Sequence, residues 1–438
     1  MSPGPTSCIL RWTPTDRPRA ASRMARRAER NSEGFWLRIA KHGTTHPPVF
    51  SNDRTKVAWA ELAGDGCESD HAVLVVYDLK KDESYKLTSC WDRSPASISF
   101  SEDDKYIYFT AGSKARVKVF VLPVPASKPG SDKKLASPFK PTDEHTTSAI
   151  QPLPGSRLLY FQNSFTKPND VHLTRGLNQL PASVSQLTRF TEELNGKSLD
   201  AGEEFYFDGA EMKIQGWILK LKGYRKNNRS VCSTGVLRRC CPPSGSTTFG
   251  QDLTDAIKGG WGGKPLVDLQ KGWQYILDVI DRDHAVAAGA DYGGWIQRNP
   301  GYGFGLKALV CHDGVFDSQY GEYSTDEHYF FKREIGEQPW KDKTREFTRR
   351  FSPSNHVHKW STPESIIQGN KNYRLPEAVG IAASHALQQQ GAPSRLAMFP
   401  DGNHRVLNHG NSLKWHYEVF CWLNQFVGKD NANQKCSD

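Results

Sequence analysis

Ala285-Val-Ala-Ala-Gly-Ala-Asp-Tyr-Gly-Gly294 runs from a short apolar segment into a cluster of glycines around one carboxylate. Such a run fits a short buried strand, a tight turn and the start of a helix. Gly289, Gly293 and Gly294 supply small positions, expected where a Cβ would collide with a neighbouring strand or helix. The side chain held at the tip of the turn is that of Asp291.

Downstream and upstream of this turn the chain keeps a strand–helix rhythm. Leu266, Leu269, Trp273, Ile276 and Ile280 recur at helical spacing before it. Lys307-Ala-Leu-Val-Cys-His312 and Ser365-Ile-Ile-Gln368 read as buried strands after it. A helix is expected from Pro376, ended by Gly391. Leu396-Ala-Met-Phe399 is the next strand, with Asp401-Gly-Asn-His404 at its C-terminal end. Leu413, His416, Phe420, Leu423 and Val427 predict one face of a last amphipathic helix. Strand alternating with helix implies a mostly parallel sheet with helices on both faces.

From His46 to about Asp200 the pattern is different. Short strands recur with turn signals between them, around a unit of apolar-Ser-x-Asp, a turn, an aromatic strand and a further strand. Phe50-Ser-Asn-Asp53 and Phe100-Ser-Glu-Asp103 carry the motif, and Gln151–Phe161 carries a weaker copy. The repeat suggests propeller blades, of which three or four fit here, whereas closed rings hold 4–8. The expected organisation is an Arg-rich tail over 1–42, a partial β-propeller over 43–200, an α/β domain over 201–430 and a tail over 431–438. Within the α/β domain, 222–244 reads as an eroded segment, polar and aperiodic, with Arg238-Arg-Cys-Cys241 and the sequon Asn228-Arg-Ser230.

The bulk numbers exclude several classes. The 438 residues carry a net charge of +9, and the first forty hold eight of the arginines, from Arg11 to Arg38. No apolar run reaches transmembrane length, and no basic-aromatic interleaving marks a nucleic-acid surface. Neither a membrane nor a nucleic-acid partner is therefore expected. The arginine-rich start lacks the apolar core of a secretory signal and is compatible with a disordered tail or a mitochondrial leader. Nine cysteines is an odd count with no zinc spacing, so neither a metal nor a disulfide framework is inferred.

Several motifs agree, in order, with one family. Ser246-Thr-Thr-Phe-Gly-Gln-Asp-Leu-Thr-Asp-Ala-Ile, Trp261-Gly-Gly-Lys-Pro, the 285–294 turn, Leu309-Val-Cys-His-Asp-Gly-Val-Phe, Tyr373-Arg-Leu-Pro and Phe399-Pro-Asp-Gly-Asn-His404 resemble the prolyl oligopeptidase family of serine peptidases, in its fungal dipeptidyl-peptidase branch. Ser89-Cys-Trp-Asp-Arg-Ser-Pro and Ala115-Arg-Val-Lys-Val extend the resemblance upstream, to about residues 46–428. It implies an α/β-hydrolase domain preceded by an all-β propeller, secretion, peptide substrates and no cofactor. A cytoplasmic protein is the alternative, since no signal peptide is visible.

The resemblance also implies a Ser, Asp, His triad in that chain order. The nucleophile position matches Asp291, the acid matches Asn372 and the base matches His404, with the Tyr292 backbone N–H as an oxyanion donor. A family His-Gly-Gly-Pro turn and neighbouring strands have no counterpart between Tyr224 and Gly245. The expectation is therefore a catalytically impaired or inactive homologue. Two alternatives are a non-catalytic binding protein and a hydrolase using Asp291 as nucleophile, as in haloalkane dehalogenases and epoxide hydrolases. Residual activity through Ser244 or Ser246 is a weaker option, because Gly-Ser-Thr-Thr reads as a turn. His312-Asp313 reads as a strand end with a solvated carboxylate, and Trp261-Gly-Gly as a packing turn.

Overall fold

The computed structural model describes residues 45–427, except 65–68, 131–135, 143–144, 178–181, 221–238, 241–242, 278, 281, 299–303 and 406–407. Both expected tails and almost all of 222–244 lie outside the described residues.

The N-terminal half forms three antiparallel sheets, each a sequential meander. The first holds β1–β4 (Val49–Phe50, Lys56–Leu62, Ala72–Asp78, Glu83–Lys86). The second holds β5–β7 (Ala96–Phe100, Tyr106–Ser113, Arg116–Pro123), and the third β8–β11 (Thr146–Leu153, Arg157–Asn163, Asp170–Arg175, Ser183–Gln186). The Ser-x-Asp repeat is a turn device. Ser51 Oγ donates to Asp53 at 2.7 Å and accepts from Lys56 N at 2.9 Å, while Arg54 takes φ 56°. Ser101 repeats this with Asp103 at 2.8 Å and Tyr106 N at 3.0 Å, with Asp104 at φ 56°. The hydroxyl and carboxylate thus satisfy backbone donors that the reversal leaves unpaired.

The turns also fasten blade to blade. Asp104 accepts from Asn52 N at 2.8 Å and Asp53 N at 2.9 Å. Hydrogen bonds to a charged acceptor contribute about 1.5–3 kcal/mol. Asp104→Gly keeps the left-handed turn without strain, so it is expected to lower unfolding free energy by about 2 kcal/mol through the lost carboxylate alone; urea titration checks this. Between the blades, Leu74 and Ile107 share a core with Phe109 and Phe120. Tyr108, Val119 and Val121, on the opposite face of the second sheet, pack on Ile150, Leu158 and Tyr160 of the third. Alternation along a strand explains why Tyr108 and Phe109 serve two different cores.

β12 (Glu203–Asp208) and β13 (Lys213–Ile218) form a hairpin, and the short β14 (Arg239–Cys240) pairs with β13. α1 (Gln251–Asp255) and α2 (Lys264–Ile276) follow. Ile280 still reaches the core with Trp273 and Ile276, although it lies beyond the helix. The β-domain docks here: Arg333 bonds Asp70 and Asp255, Gln251 N donates to Asp92 at 3.0 Å, and Arg116 lies 4.6 Å over the Trp217 ring.

The parallel sheet runs β15 (Val286–Ala290), β16 (Ala308–His312), β17 (Glu364–Gly369), β18 (Ser394–Phe399), in chain order. α3 (Tyr292–Arg298) leaves β15 directly. α4 (Ser318–Ser324), α5 (His328–Ile335) and α6 (Asp342–Phe351) lie between β16 and β17, and α7 (Glu377–Gln389) and α8 (His409–Val427) follow β17 and β18. Ile366 faces Ala383 and Leu387 of α7, and its neighbour Ile367 faces Val419 and Trp422 of α8. The sheet is therefore covered on both faces, as the rhythm predicts. Among the described residues no strand joins β15 to the antiparallel β12–β14 sheet.

Two expectations are corrected. The buried face of α8 is centred on Val419 and Trp422, with Leu423 of the predicted stripe packed beside them, whereas Leu413 is 76% and Phe420 48% exposed. Its register is set by Trp422, whose Nε1 donates to Leu309 O at 3.0 Å, and by buried Glu418, which pairs with Arg395 and Lys414. Cys421 is half of a disulfide, whereas Cys90 and Cys311 are in none. Among the described residues, no helix is long and apolar enough to cross a membrane.

Glu322 on α4 is fully buried, and neither carboxyl oxygen has a hydrogen-bond partner. Burial, reinforced by nearby Asp317, pushes its pKa up to about 8. A folded-state pKa above the unfolded one means the native state binds more protons, so stability falls as pH rises from about 4.3 towards 8. Glu322→Gln is expected to raise the melting temperature at pH 8 and to leave it nearly unchanged at pH 4; thermal scans at the two pH values check the sign.

Candidate active site

The turn after β15 has the geometry that its glycines require. A Cβ on Gly289 would lie 2.4 Å from Gly293 O, and one on Gly294 would lie 2.5 Å from Cys311 Sγ and 2.7 Å from Gly314 Cα. Gly293 differs from expectation, because a Cβ there meets nothing within 4 Å. Asp291 sits at the tip with φ 51°, in the left-handed region that costs a non-glycine residue. The backbone fixes it: Asp291 N donates to His312 O at 3.1 Å, and Asp291 O accepts from Trp295 N at 3.1 Å and Val315 N at 3.3 Å. Tyr292 N opens α3, where the helix itself provides no acceptor. Gly289→Ala is expected to cost more than 3 kcal/mol, beyond an ordinary core overpacking of about 1–3 kcal/mol, because both clashing atoms are backbone; chemical denaturation measures it.

Arg298 holds the far end of α3. Its Nε donates to Glu364 Oε1 at 2.8 Å, with both side chains at most 2% exposed. Its Nη1 reaches the carbonyls of Gly314 and Val315 at 3.4 Å. The pair thereby couples the elbow helix to β17 and to the loop after β16.

His404 follows β18, and its Nε2 lies 3.5 Å from Asp291 Oδ1. Asn372, in the loop after β17, is buried, and its Oδ1 accepts from Leu375 N at 3.0 Å. Its Nδ2 and His404 Nδ1 are both buried and without hydrogen-bond partners. The three sequence-matched residues thus stand at the C-terminal ends of β15, β17 and β18, but only Asp291 and His404 are paired. Asp313 is buried rather than solvated as expected, because its Oδ1 caps Gly369 N at 2.9 Å and its Oδ2 lies 3.1 Å from His312 Nε2. Ser244 Oγ donates to Asp268 at 2.6 Å, so its partner is a carboxylate and not the histidine.

Beside Asp291 lies a cavity of about 240 Å³. Trp261, Tyr292, Phe330 and Phe331 supply its aromatic wall. Trp261 does pack, as expected, edge-on to Tyr292 at 5.6 Å, but it also faces the cavity. Burial, then the negative field of Asp268 and Glu334, raises the Tyr292 pKa far above that of an ordinary tyrosine, so its OH stays a donor, here to Trp261 O. Two carboxylates of the wall have guanidinium partners: Glu327 has Arg374 at 2.8 Å, and Glu334 has Arg333 at 2.8 Å, a guanidinium that Asp70 and Asp255 share. Burial still raises the pKa of Glu334. Sequence reading missed Phe330, Phe331, Glu327 and Glu334. They lie on or beside α5, 36 to 43 residues from Asp291, with no local motif.

Comparison with known proteins agrees with this fold. The sequence profile of the prolyl oligopeptidase family matches residues 223–430. Dipeptidyl-peptidase 5 of Aspergillus fumigatus is 34% identical over 427 residues, covering 89% of this chain and 58% of that protein. Dipeptidyl-peptidase 5 of Schizosaccharomyces pombe is 32% identical, covering 90% and 60%. The chain therefore spans about three-fifths of the length of these curated relatives. Acylaminoacyl peptidase of Pyrococcus horikoshii superposes with a TM-score of 0.73 at 18% identity, covering 88% of this chain and 64% of that one. A puromycin-hydrolyzing peptidase of Mycobacterium tuberculosis gives 0.66 at 15%, covering 88% and 62%. These likenesses carry the fold, an α/β-hydrolase domain behind an N-terminal β-domain. On its motifs, its sequence identity and its architecture, the chain carries a prolyl oligopeptidase family domain over residues 223–430 and is similar along most of its length to the fungal dipeptidyl-peptidases 5.

Proposed function

We propose that this chain is a peptide-binding homologue of serine dipeptidyl-peptidases that has lost acyl transfer. The observation that supports this best is Asp291 at the elbow tip, 3.5 Å from His404 Nε2. In a serine peptidase the tip hydroxyl attacks the carbonyl while its proton passes to Nε2, and the acid holds the imidazole from Nδ1. An ionised Asp291 has no proton to give and accepts only, so it favours the tautomer with the proton on Nε2. Asn372 has committed its carbonyl to Leu375 N, leaving only an amide donor. That donor suits an unprotonated Nδ1, so both neighbours favour the reverse of catalytic polarity. A carboxylate at the tip also opposes the oxyanion that Tyr292 N–H would stabilise.

A fluorophosphonate probe, which phosphorylates activated serines, tests the loss. Intact mass spectrometry is expected to show no adduct on the unmodified chain. An adduct that His404→Ala removes would refute the reading.

The same Asp291–His404 pair favours a second reading. Asp291 could displace a leaving group from an sp³ carbon, forming an ester that water activated by His404 then cleaves. Single turnover in heavy-oxygen water would place one label in the Asp291 carboxylate, and an unlabelled carboxylate excludes this route.

A further inference from the structure

We infer that the cavity beside the elbow is a receptor for an organic ammonium ion, with Asp291 as its counter-ion at the position where a peptidase would attack. This deepens the non-catalytic reading of Asp291 and rests on it.

Three carboxylates and one guanidinium line the cavity. Glu327 is taken by Arg374, bound through Nε at 2.8 Å and again through Nη2. Glu334 is 3% exposed, bonded to Arg333 and to Trp261 Nε1, and held towards its neutral form by burial. Asp291 has neither a lysine nor an arginine partner among the described residues, and its side chain is 38% exposed. Asp291 is therefore the lining carboxylate without a guanidinium partner among the described residues, and three carboxylates against one guanidinium leave the lining net negative. An anion is repelled there, and a neutral ligand leaves the carboxylate to water.

The walls suit the body of such a cation. Trp261, Tyr292, Phe330 and Phe331 present aromatic surface, whose faces attract cations and whose area takes apolar groups. A volume of about 240 Å³ exceeds the roughly 150 Å³ in which an apolar cavity already takes benzene. An aryl ring with a two-carbon ammonium arm fits both features. The ligand class is thus a primary ammonium carrying an apolar group of about phenyl size.

Calorimetric titration of the full chain at pH 8 and low salt tests this with 2-phenylethylammonium, 2-phenylethanol and 3-phenylpropionate. The ammonium is expected to bind at least about tenfold more tightly than either isostere, the equivalent of one charge-assisted contact. Asp291→Asn should remove that preference, while His404→Gln, which removes the competing imidazole, should keep or strengthen it. Melting temperatures confirm that each variant is folded. Equal binding of the alcohol, or an unchanged preference in Asp291→Asn, overturns the proposal. Peptidase turnover by the unmodified chain would instead overturn the non-catalytic reading, so the two failures are distinguishable.

Discussion

Restoring both altered triad positions, with Asp291→Ser and Asn372→Asp together, is expected to produce measurable hydrolysis of a dipeptidyl nitroanilide where Asp291→Ser alone gives little. The reason lies in the division of labour. Serine at φ 51° would stand at the tip with its hydroxyl towards His404 Nε2, in place of a carboxylate now 3.5 Å away. That variant alone still leaves Asn372 with its oxygen on Leu375 N and its amide turned to no acceptor. An amide in place of the acid lowers turnover by about 10⁴ in a comparable triad by favouring the wrong tautomer. The double variant should therefore exceed the single one by about three to four orders of magnitude in kcat. Equal rates in the two variants would show that Asn372 does not occupy the acid position.

Removing one partner of the Arg298–Glu364 pair is the substitution expected to cost most stability. Both side chains are at most 2% exposed. Glu364→Ala leaves a guanidinium in the interior with only the distant carbonyls of Gly314 and Val315, and breaking a buried pair in this way costs about 3–5 kcal/mol. Replacing both partners, with Arg298→Met and Glu364→Leu, should cost far less, because no charge is left unpaired and the Trp360 ring beneath the guanidinium can pack on methionine. Denaturant unfolding of the single and double variants separates the two cases. A single variant within 1 kcal/mol of the parent would mean that water reaches the site.

The sequence carries the fold where the chemistry is local. Glycines at 289 and 294 announce a turn because no other residue fits between Gly293 O, Cys311 and Gly314. Ser-x-Asp announces a blade turn because the hydroxyl and carboxylate feed the adjacent backbone donors. The strand rhythm holds because Ile366 and Ile367 must face two different helices. Where sequence and structure differ, the cause is non-local. The face of α8 is decided by Trp422 reaching Leu309 O, a partner over a hundred residues away. Asp313 is buried because β17 supplies Gly369 N, which no reading of His312-Asp313 alone contains. The aromatic wall of the cavity is likewise assembled from α3, α5 and the Trp261 loop, so Phe330 and Phe331 carry no local signal, whereas Asp291, Asn372 and His404 are legible from their motifs.

The most direct test is hydrolysis of an aminoacyl-alanyl nitroanilide by the purified, unmodified chain, with His404→Ala as control. A rate indistinguishable from buffer is expected for both proteins, since losing the nucleophile alone costs on the order of 10⁶ in kcat. Turnover by the unmodified chain that His404→Ala abolishes would contradict the loss of acyl transfer, because the histidine would then be serving as a base at a site whose tip carries Asp291 in place of a hydroxyl.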